Sequence, residues 1–266
     1  MKLNNLLNHA KISKEVMIPE TWGQGRTVFG GLIAALLVKH AQNVVGETDK
    51  LLRNASITFV GPVVAGITAS IQSKILRCSQ SSSIIEVQLL QNDEIQTTMI
   101  LCFGVARNSV IKVNHRFDKP NLAPREKLNL IPYIPSLMPE FTQHFDFLLA
   151  DGDMPMTKSS RSDFSGWMKF KATEDILEID LAYLFILMDM WPTSVIQMFD
   201  RPAPASTLTW NFDLIGSGVD YTRNIWWKFE VESEYAQDGY NYEIARLWDE
   251  NDNLIAVSKQ TVSIYL

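Results

Sequence analysis

One order of apolar segments occurs twice in this 266-residue chain, and that repeat limits the fold more than any motif does. In the first half, residues 30–41 form a helical run of good helix formers opened by two glycines. A β-branched and aromatic strand follows at 55–62 and ends at Gly61-Pro62. Next come an alternating strand at 67–76, a Ser-rich break at 79–83, and strands at 84–90 and 95–103 around a turn at 91–94. The second half runs in the same order. It has a helical run at 181–190, strands at 206–210 and 225–231, a polar loop at 234–241, and strands at 242–248 and 254–266 around a turn at 249–253. A displacement of 151 residues lays Ser56-Ile-Thr-Phe on Thr207-Leu-Thr-Trp, Gly31 on Ala182 and Val38 on Asp189. Both helical runs are apolar nearly all round, as buried helices are. Each unit is therefore expected to be an antiparallel sheet curled around a helix. The unpaired edge of such a sheet favours two units side by side.

Six of the eleven prolines (Pro120, Pro124, Pro132, Pro135, Pro139, Pro155) fall between the halves. This density predicts an extended connector wrapped over the surface rather than regular structure. The expected organisation is a first unit at 1–106, a connector at 107–160 and a second unit at 161–266. A net charge of −6 without a long basic run argues against nucleic acid or an anionic membrane as the main partner. Cys78 and Cys102 make no disulfide framework. The first ten residues contain no signal-peptide core, and the apolar run at 181–188 is too short to cross a bilayer. A cytoplasmic protein without membrane insertion is the expectation.

The stretch Trp22-Gly-Gln-Gly-Arg-Thr-Val-Phe-Gly-Gly-Leu-Ile-Ala-Ala-Leu-Leu resembles the helix approach of the double hotdog acyl-CoA thioesterases. These are the acyl-CoA thioesterase II family and the wider thioesterase-like superfamily. Ser56-Ile-Thr-Phe-Val-Gly-Pro-Val, Asp189-Met-Trp-Pro192 and Leu254-Ile-Ala-Val-Ser-Lys-Gln260 extend the likeness over most of the chain outside the connector. The resemblance implies an α+β double hotdog fold, an acyl-CoA substrate, a place in fatty acid metabolism, no cofactor, and a homodimer or larger homo-oligomer. It also implies that an acid on the second helix, a hydroxyl on the next strand and a glutamine on the last strand hold the attacking water. Those positions are Asp189, Thr207 and Gln260. Thr209, two residues on and on the same side of a regular strand, is the alternative to Thr207.

These residue types suit thioester hydrolysis. Asp189 closes a run of eight apolar residues, and burial there would raise its pKa and make it a better general base. Pro192 has no N–H for the carbonyl of Met188, so the helix should kink or end there. Thr207 and Gln260 can each donate and accept a hydrogen bond to a neutral water. Gly30 and Gly31 open the first helix, whose free N–H groups and dipole offer an oxyanion hole. The same glycines would also allow close packing of the helix. The counterparts of the polar trio in the first half are Val38, Ser56 and Leu101, so one composite site is expected, with its hole from one half and its acid from the other. Arg26 and Arg53 are candidates for the CoA phosphates.

Other chemistries find less support. His9, His40, His115 and His144 have no metal-ligand spacing, so no metal is expected. Gly216-Ser-Gly218 reads as a turn, and Asp249-Glu-Asn-Asp-Asn253 as a turn rather than a calcium loop, since Leu254 and Gln260 replace the Gly and Glu that such a loop needs. Two rivals to a hydrolase are a hotdog that binds acyl thioesters without turnover and a structural protein with a vestigial pocket. A buried carboxylate beside an apolar tail gains a pure binder nothing.

Overall fold

The computed structural model describes residues 2–46, 48–111, 113, 119–174, 176, 178–215 and 224–266. His115 and Gly216-Ser-Gly218 lie outside the described residues. The first half contains α1 (Leu3–Ile12), β1 (Glu15–Met17), the small hairpin β2 (Gly23–Gln24) and β3 (Thr27–Val28), and α2 (Gly30–Val45). It continues with β4 (Leu51–Phe59), β5 (Thr68–Cys78), β6 (Ser82–Gln91) and β7 (Glu94–Gly104). The second half contains β8 (Phe145–Asp151), β9 (Asp163–Phe170), α3 (Leu181–Asp189), β10 (Ala205–Leu214), β11 (Trp227–Gln237), β12 (Tyr240–Trp248) and β13 (Leu254–Ile264).

Apart from the β2–β3 hairpin, the strands join in one eleven-stranded sheet ordered β1-β5-β6-β7-β4-β10-β13-β12-β11-β9-β8. The halves meet where β4 pairs antiparallel with β10, Trp210 opposite Ile57 and Phe212 opposite Ala55. Edge pairing thus makes two sheets one, as the repeat predicts. Both central helices pack on the inner face and against each other. They run antiparallel: Gly30 lies beside Asp189 at one end, and Lys39 pairs with Asp180 at the other. Leu184, Phe185, Ile186 and Leu187 of α3 are fully buried. The stretch Leu181–Met198 is apolar and long enough to pass for a membrane span, yet two-thirds of it is buried inside this fold and α3 ends at Asp189.

Three expectations need correction. The connector is not devoid of regular structure, because β8 inside it pairs with β9 and completes one edge of the sheet. The polar loop at 234–241 is a tight hairpin: β11 continues to Gln237, and Asp238 and Gly239 turn the chain with φ of 56° and 80°. Strands β4 and β10 correspond by 155 residues rather than 151, and β7 and β13 by 159. Leu52 pairs with Phe103 as Thr207 pairs with Val262, and Ala55 with Leu101 as Trp210 with Gln260. A bulge falls between the paired positions in each case, at Arg53 and at Leu208. The counterpart of Thr207 is therefore Leu52, not Ser56.

Candidate active site

The expected site residues come together at one end of the helix pair. Gln260 on β13 donates from Nε2 to Asp189 Oδ1 at 3.1 Å. Thr207 on β10 donates from Oγ1 to Gln260 Oε1 at 2.7 Å. With Asp189 ionised the amide NH₂ faces the carboxylate, which leaves the amide oxygen to accept from Thr207. The bulge at Leu208 decides between the two threonines. It turns Thr207 inward with Trp210 and Phe212, whereas Thr209 is exposed on the outer face.

Asp189 also meets the first turn of α2. Phe29, which precedes that helix, gives no side-chain cap, and the Gly31 N–H donates to the Asp189 carboxylate instead. The cap thus comes in trans from α3. Glycine is what allows this approach. A Cβ on Gly31 would stand 2.5 Å from the Phe29 ring and 3.0 Å from Asp189 Cβ, and one on Gly30 would stand 3.0 Å from Asp189 Oδ2 and 3.2 Å from the Phe59 ring. Close packing and an N–H aimed at a carboxylate are therefore one feature. Gly31, expected as an open oxyanion donor, has its N–H on Asp189 here.

Burial pushes the Asp189 carboxyl up to about 7, against the hydrogen bonds from Gln260 and Gly31, which favour the ionised form, and with the like charge of Glu243 adding to the rise. Asp189 keeps some surface as a residue, but its carboxyl group lies among protein atoms. A shift from 3.8 to about 7 makes ionisation cost roughly 4 kcal/mol at neutral pH and above. Burying the four α3 side chains named above supplies on the order of 6–12 kcal/mol, enough to hold the acid there.

Among the described residues, the other end of the helix pair has no comparable chemistry. There α3 is capped by its own Asp180, whose Oδ1 accepts from the Ala182 N–H at 3.0 Å and whose Oδ2 pairs with Lys39. Val38, Leu52 and Leu101, the counterparts of Asp189, Thr207 and Gln260, are all buried and apolar. Arg53 sits on the bulge beside Leu52, bonded to the Gly104 carbonyl, and so belongs to this apolar end. Arg26 is exposed in the β2–β3 turn, four residues before Gly30.

Residues 120–264 match the acyl-CoA thioesterase C-terminal domain, and residues 18–104 the acyl-CoA thioesterase N-terminal domain. The chain belongs to the acyl-CoA thioesterase family. Its fold is a double hotdog, and solved structures share it almost end to end. A conserved protein of unknown function with a hot dog fold from Alicyclobacillus acidocaldarius is 18% identical, with 98% of each chain covered and a TM-score of 0.82. The acyl-CoA thioesterase II of Mycobacterium marinum is 13% identical, with 95% of this chain and 93% of that one covered at a TM-score of 0.73. The TesB protein of Mycobacterium avium subspecies paratuberculosis is 11% identical over 99% and 100% of the two chains, at 0.76. No curated protein sequence matches the chain. The C-terminal match begins well before β8, which agrees with that strand belonging to the second unit.

Sequence reasoning missed Glu243, a buried carboxylate on β12 opposite Gln260. Its neighbours Tyr240 and Tyr242 are exposed, so the polar residues of this stretch are the ones that face inward. His40 and His144 prove structural: His40 joins the Ala10 carbonyl and Ser73, and His144 stacks on Trp22 at 4.2 Å. The Asp249 carboxylate closes its turn by accepting from the N–H groups of Asn251 and Asn253 at 2.9 and 2.8 Å.

Proposed function

We propose that the protein hydrolyses acyl-CoA thioesters to a free carboxylic acid and CoA, at the single site built around Asp189. The observation that carries this reading is the Thr207–Gln260–Asp189 chain ending at the first turn of α2. A water held by Thr207, Gln260 and Asp189 attacks the thioester carbonyl carbon, and Asp189 takes its proton. The negative charge leaves the carboxylate and appears on the carbonyl oxygen. Asp189 then has less hold on the Gly31 N–H, which turns to the oxyanion along with the helix dipole; Gly30 lets the carbonyl approach the backbone. Collapse breaks the C–S bond, and the departing thiolate recovers the proton from Asp189. A pKa near 7 suits a group that must first accept and then return a proton. Arg26, exposed just ahead of α2, is placed to meet a CoA phosphate. The reaction takes place within one chain, in the cytoplasm, and needs no cofactor; assembly into homo-oligomers would not have to complete the site.

The test is free-thiol release from a panel of acyl-CoAs, short to long and aromatic, by the wild type and by Asp189→Asn. Turnover that Asp189→Asn abolishes is the expected result. A folded wild-type protein inactive on the whole panel would favour the non-hydrolytic binder. Turnover indifferent to Asp189 would mean the chemistry lies elsewhere.

A further inference from the structure

Glu243 is 7% exposed, and its hydrogen-bond donors among the described residues are neutral. Its Oε2 accepts four hydrogen bonds from neutral donors: the Ser194 N–H at 2.8 Å, Ser194 Oγ at 2.9 Å, Thr193 Oγ1 at 2.9 Å and Asn241 Nδ2 at 2.8 Å. Asn241 is itself fully buried, and its Oδ1 is held by Ser233 Oγ at 2.6 Å. Residues 193 and 194 begin the 3₁₀ turn Ser194–Met198, a few residues beyond Asp189 along the chain. Glu243 therefore ties the segment that leaves α3 to β12, and β12 places it directly opposite Gln260 on β13.

The two halves supply a comparison within the chain. Ile85 pairs with Leu101 as Glu243 pairs with Gln260. The counterparts of Asp189, Thr207, Gln260 and Glu243 are Val38, Leu52, Leu101 and Ile85, each at most 2% exposed. Where the acid is absent, all four positions are apolar and the same architecture forms around them. An isoleucine thus meets the structural need at this sheet position, and a buried carboxylate is usually no more stabilising than a well-packed apolar side chain. The Glu goes with the acid, not with the fold.

We propose that Glu243 is a positioning residue for the hydrolysis: it clamps residues 193 and 194 to β12 and so fixes Asp189 at the end of α3 in register with Gln260. This rests on the hydrolase reading above. Glu243 also adds like charge next to Asp189. Described charged side chains on the neighbouring strands have other partners. Lys259 pairs with Glu234 and Arg246 with Glu230 and Glu232 on the far side of the sheet, Asp213 bonds Asn54, and the first turn of α2 carries no acid. The 3₁₀ turn Ser194–Met198 has no charged side chain.

The experiment compares wild type, Glu243→Gln and Glu243→Asp in the full chain, on whichever acyl-CoA the wild type turns over. It reads kcat, KM and the pH profile, together with a ¹³C carboxyl titration of Asp189. Glu243→Gln should lower kcat on the order of tenfold to a hundredfold with KM nearly unchanged, as expected of a misplaced base. The acid limb and the Asp189 titration should both move to lower pH, because the like charge is gone. Glu243→Asp should restore the limb and part of kcat. Wild-type kinetics in Glu243→Gln, or a loss of rate with limb and titration unmoved, would overturn the proposal. If Glu243→Gln does not fold, Thr193→Val with Ser194→Ala removes two donors and leaves the carboxylate. That variant should lower kcat and displace the Asp189 titration, and no change in either would equally overturn it. An inactive wild type would remove the hydrolase reading alone, since the Asp189 titration still tests the clamp.

Discussion

Replacing Asp189 by Asn should abolish turnover and at the same time stabilise the protein, increasingly so as the pH rises. In the folded protein the carboxyl titrates at about 7, raised by burial from 3.8. Between those two values the folded state holds a proton that the unfolded chain has released. The stability tied to this proton is fully present below pH 3.8 and falls by about 1.4 kcal/mol per pH unit until the folded carboxyl ionises near 7. The whole loss is roughly 4 kcal/mol. Asparagine has nearly the same shape, takes the Gln260 and Gly31 contacts without a charge, and does not titrate.

The difference in stability between Asp189→Asn and wild type should thus grow by roughly 2–3 kcal/mol from pH 5 to pH 8. For a chain of this size that widens the Tm gap by about 4–8 °C. Thermal or urea unfolding of both proteins across that range is the assay, with kcat on an active acyl-CoA measured alongside. The rate should fall on the order of 10²–10⁴-fold, as for loss of a general base, and the wild-type kcat/KM should rise with pH through about 7. A Tm gap constant from pH 5 to pH 8 would refute the buried, raised-pKa carboxylate. A gap that widens while activity survives would keep the burial and refute the role.

Thr207→Val removes the hydroxyl that orients Gln260 while keeping the shape, and should lower kcat about tenfold with KM little changed; an unaltered kcat would exclude the hydroxyl from the site. Gly31→Ala places a methyl 2.5 Å from the Phe29 ring and 3.0 Å from Asp189 Cβ, so it should cost about 1–3 kcal/mol in urea unfolding and most of the activity. Gly166→Ala puts a methyl 2.6 Å from the Trp191 ring and 2.7 Å from the Leu148 carbonyl. Because Trp191 follows Asp189 by two residues, activity should fall with stability there. Arg26→Ala should raise KM for acyl-CoA severalfold at unchanged kcat, and the effect should shrink in high salt.

The helices and the repeat could be read in the sequence because an all-apolar helix and a sheet folded by tight turns leave strong local patterns. What was lost depended on neighbouring strands. The bulge at Leu208 is set by pairing with β13, so the strand pattern alone left Thr207 and Thr209 equivalent. That bulge, with its twin at Arg53, also accounts for aligning Thr207 with Ser56, since the inward face changes along both strands. In β8, Phe145 and Phe147 alternate with Asp146, but the prolines around it masked an edge strand of seven residues. Asp238-Gly239 is the dipeptide a two-residue hairpin favours, and the polar residues before it hid the signal. Glu243 could not be foreseen from its own strand. There Tyr240 and Tyr242 are exposed while Asn241 and Glu243 are buried, an inversion that makes sense only once residues 193 and 194 supply the hydrogen bonds.

That inversion bears on why two fused units carry one site. A carboxylate in an apolar core is tolerable only where donors from several elements converge on it, and each such donor must come from a part of the chain free to vary. In a dimer of identical units, any change that seats an acid at one helix end must seat it at the other. Fusion removes the constraint. Here one end carries Asp189 with Gln260, Thr207 and the α2 glycines, and with Glu243 behind it. The other holds Val38, Leu52, Leu101 and Ile85, and Asp180 caps its own helix. The apolar end can then carry packing for the whole helix pair, which offsets the roughly 4 kcal/mol that an ionised Asp189 costs. On this reasoning the two ends differ in kind because they share one core, and stability gained at the apolar end is what keeps a buried acid at the other.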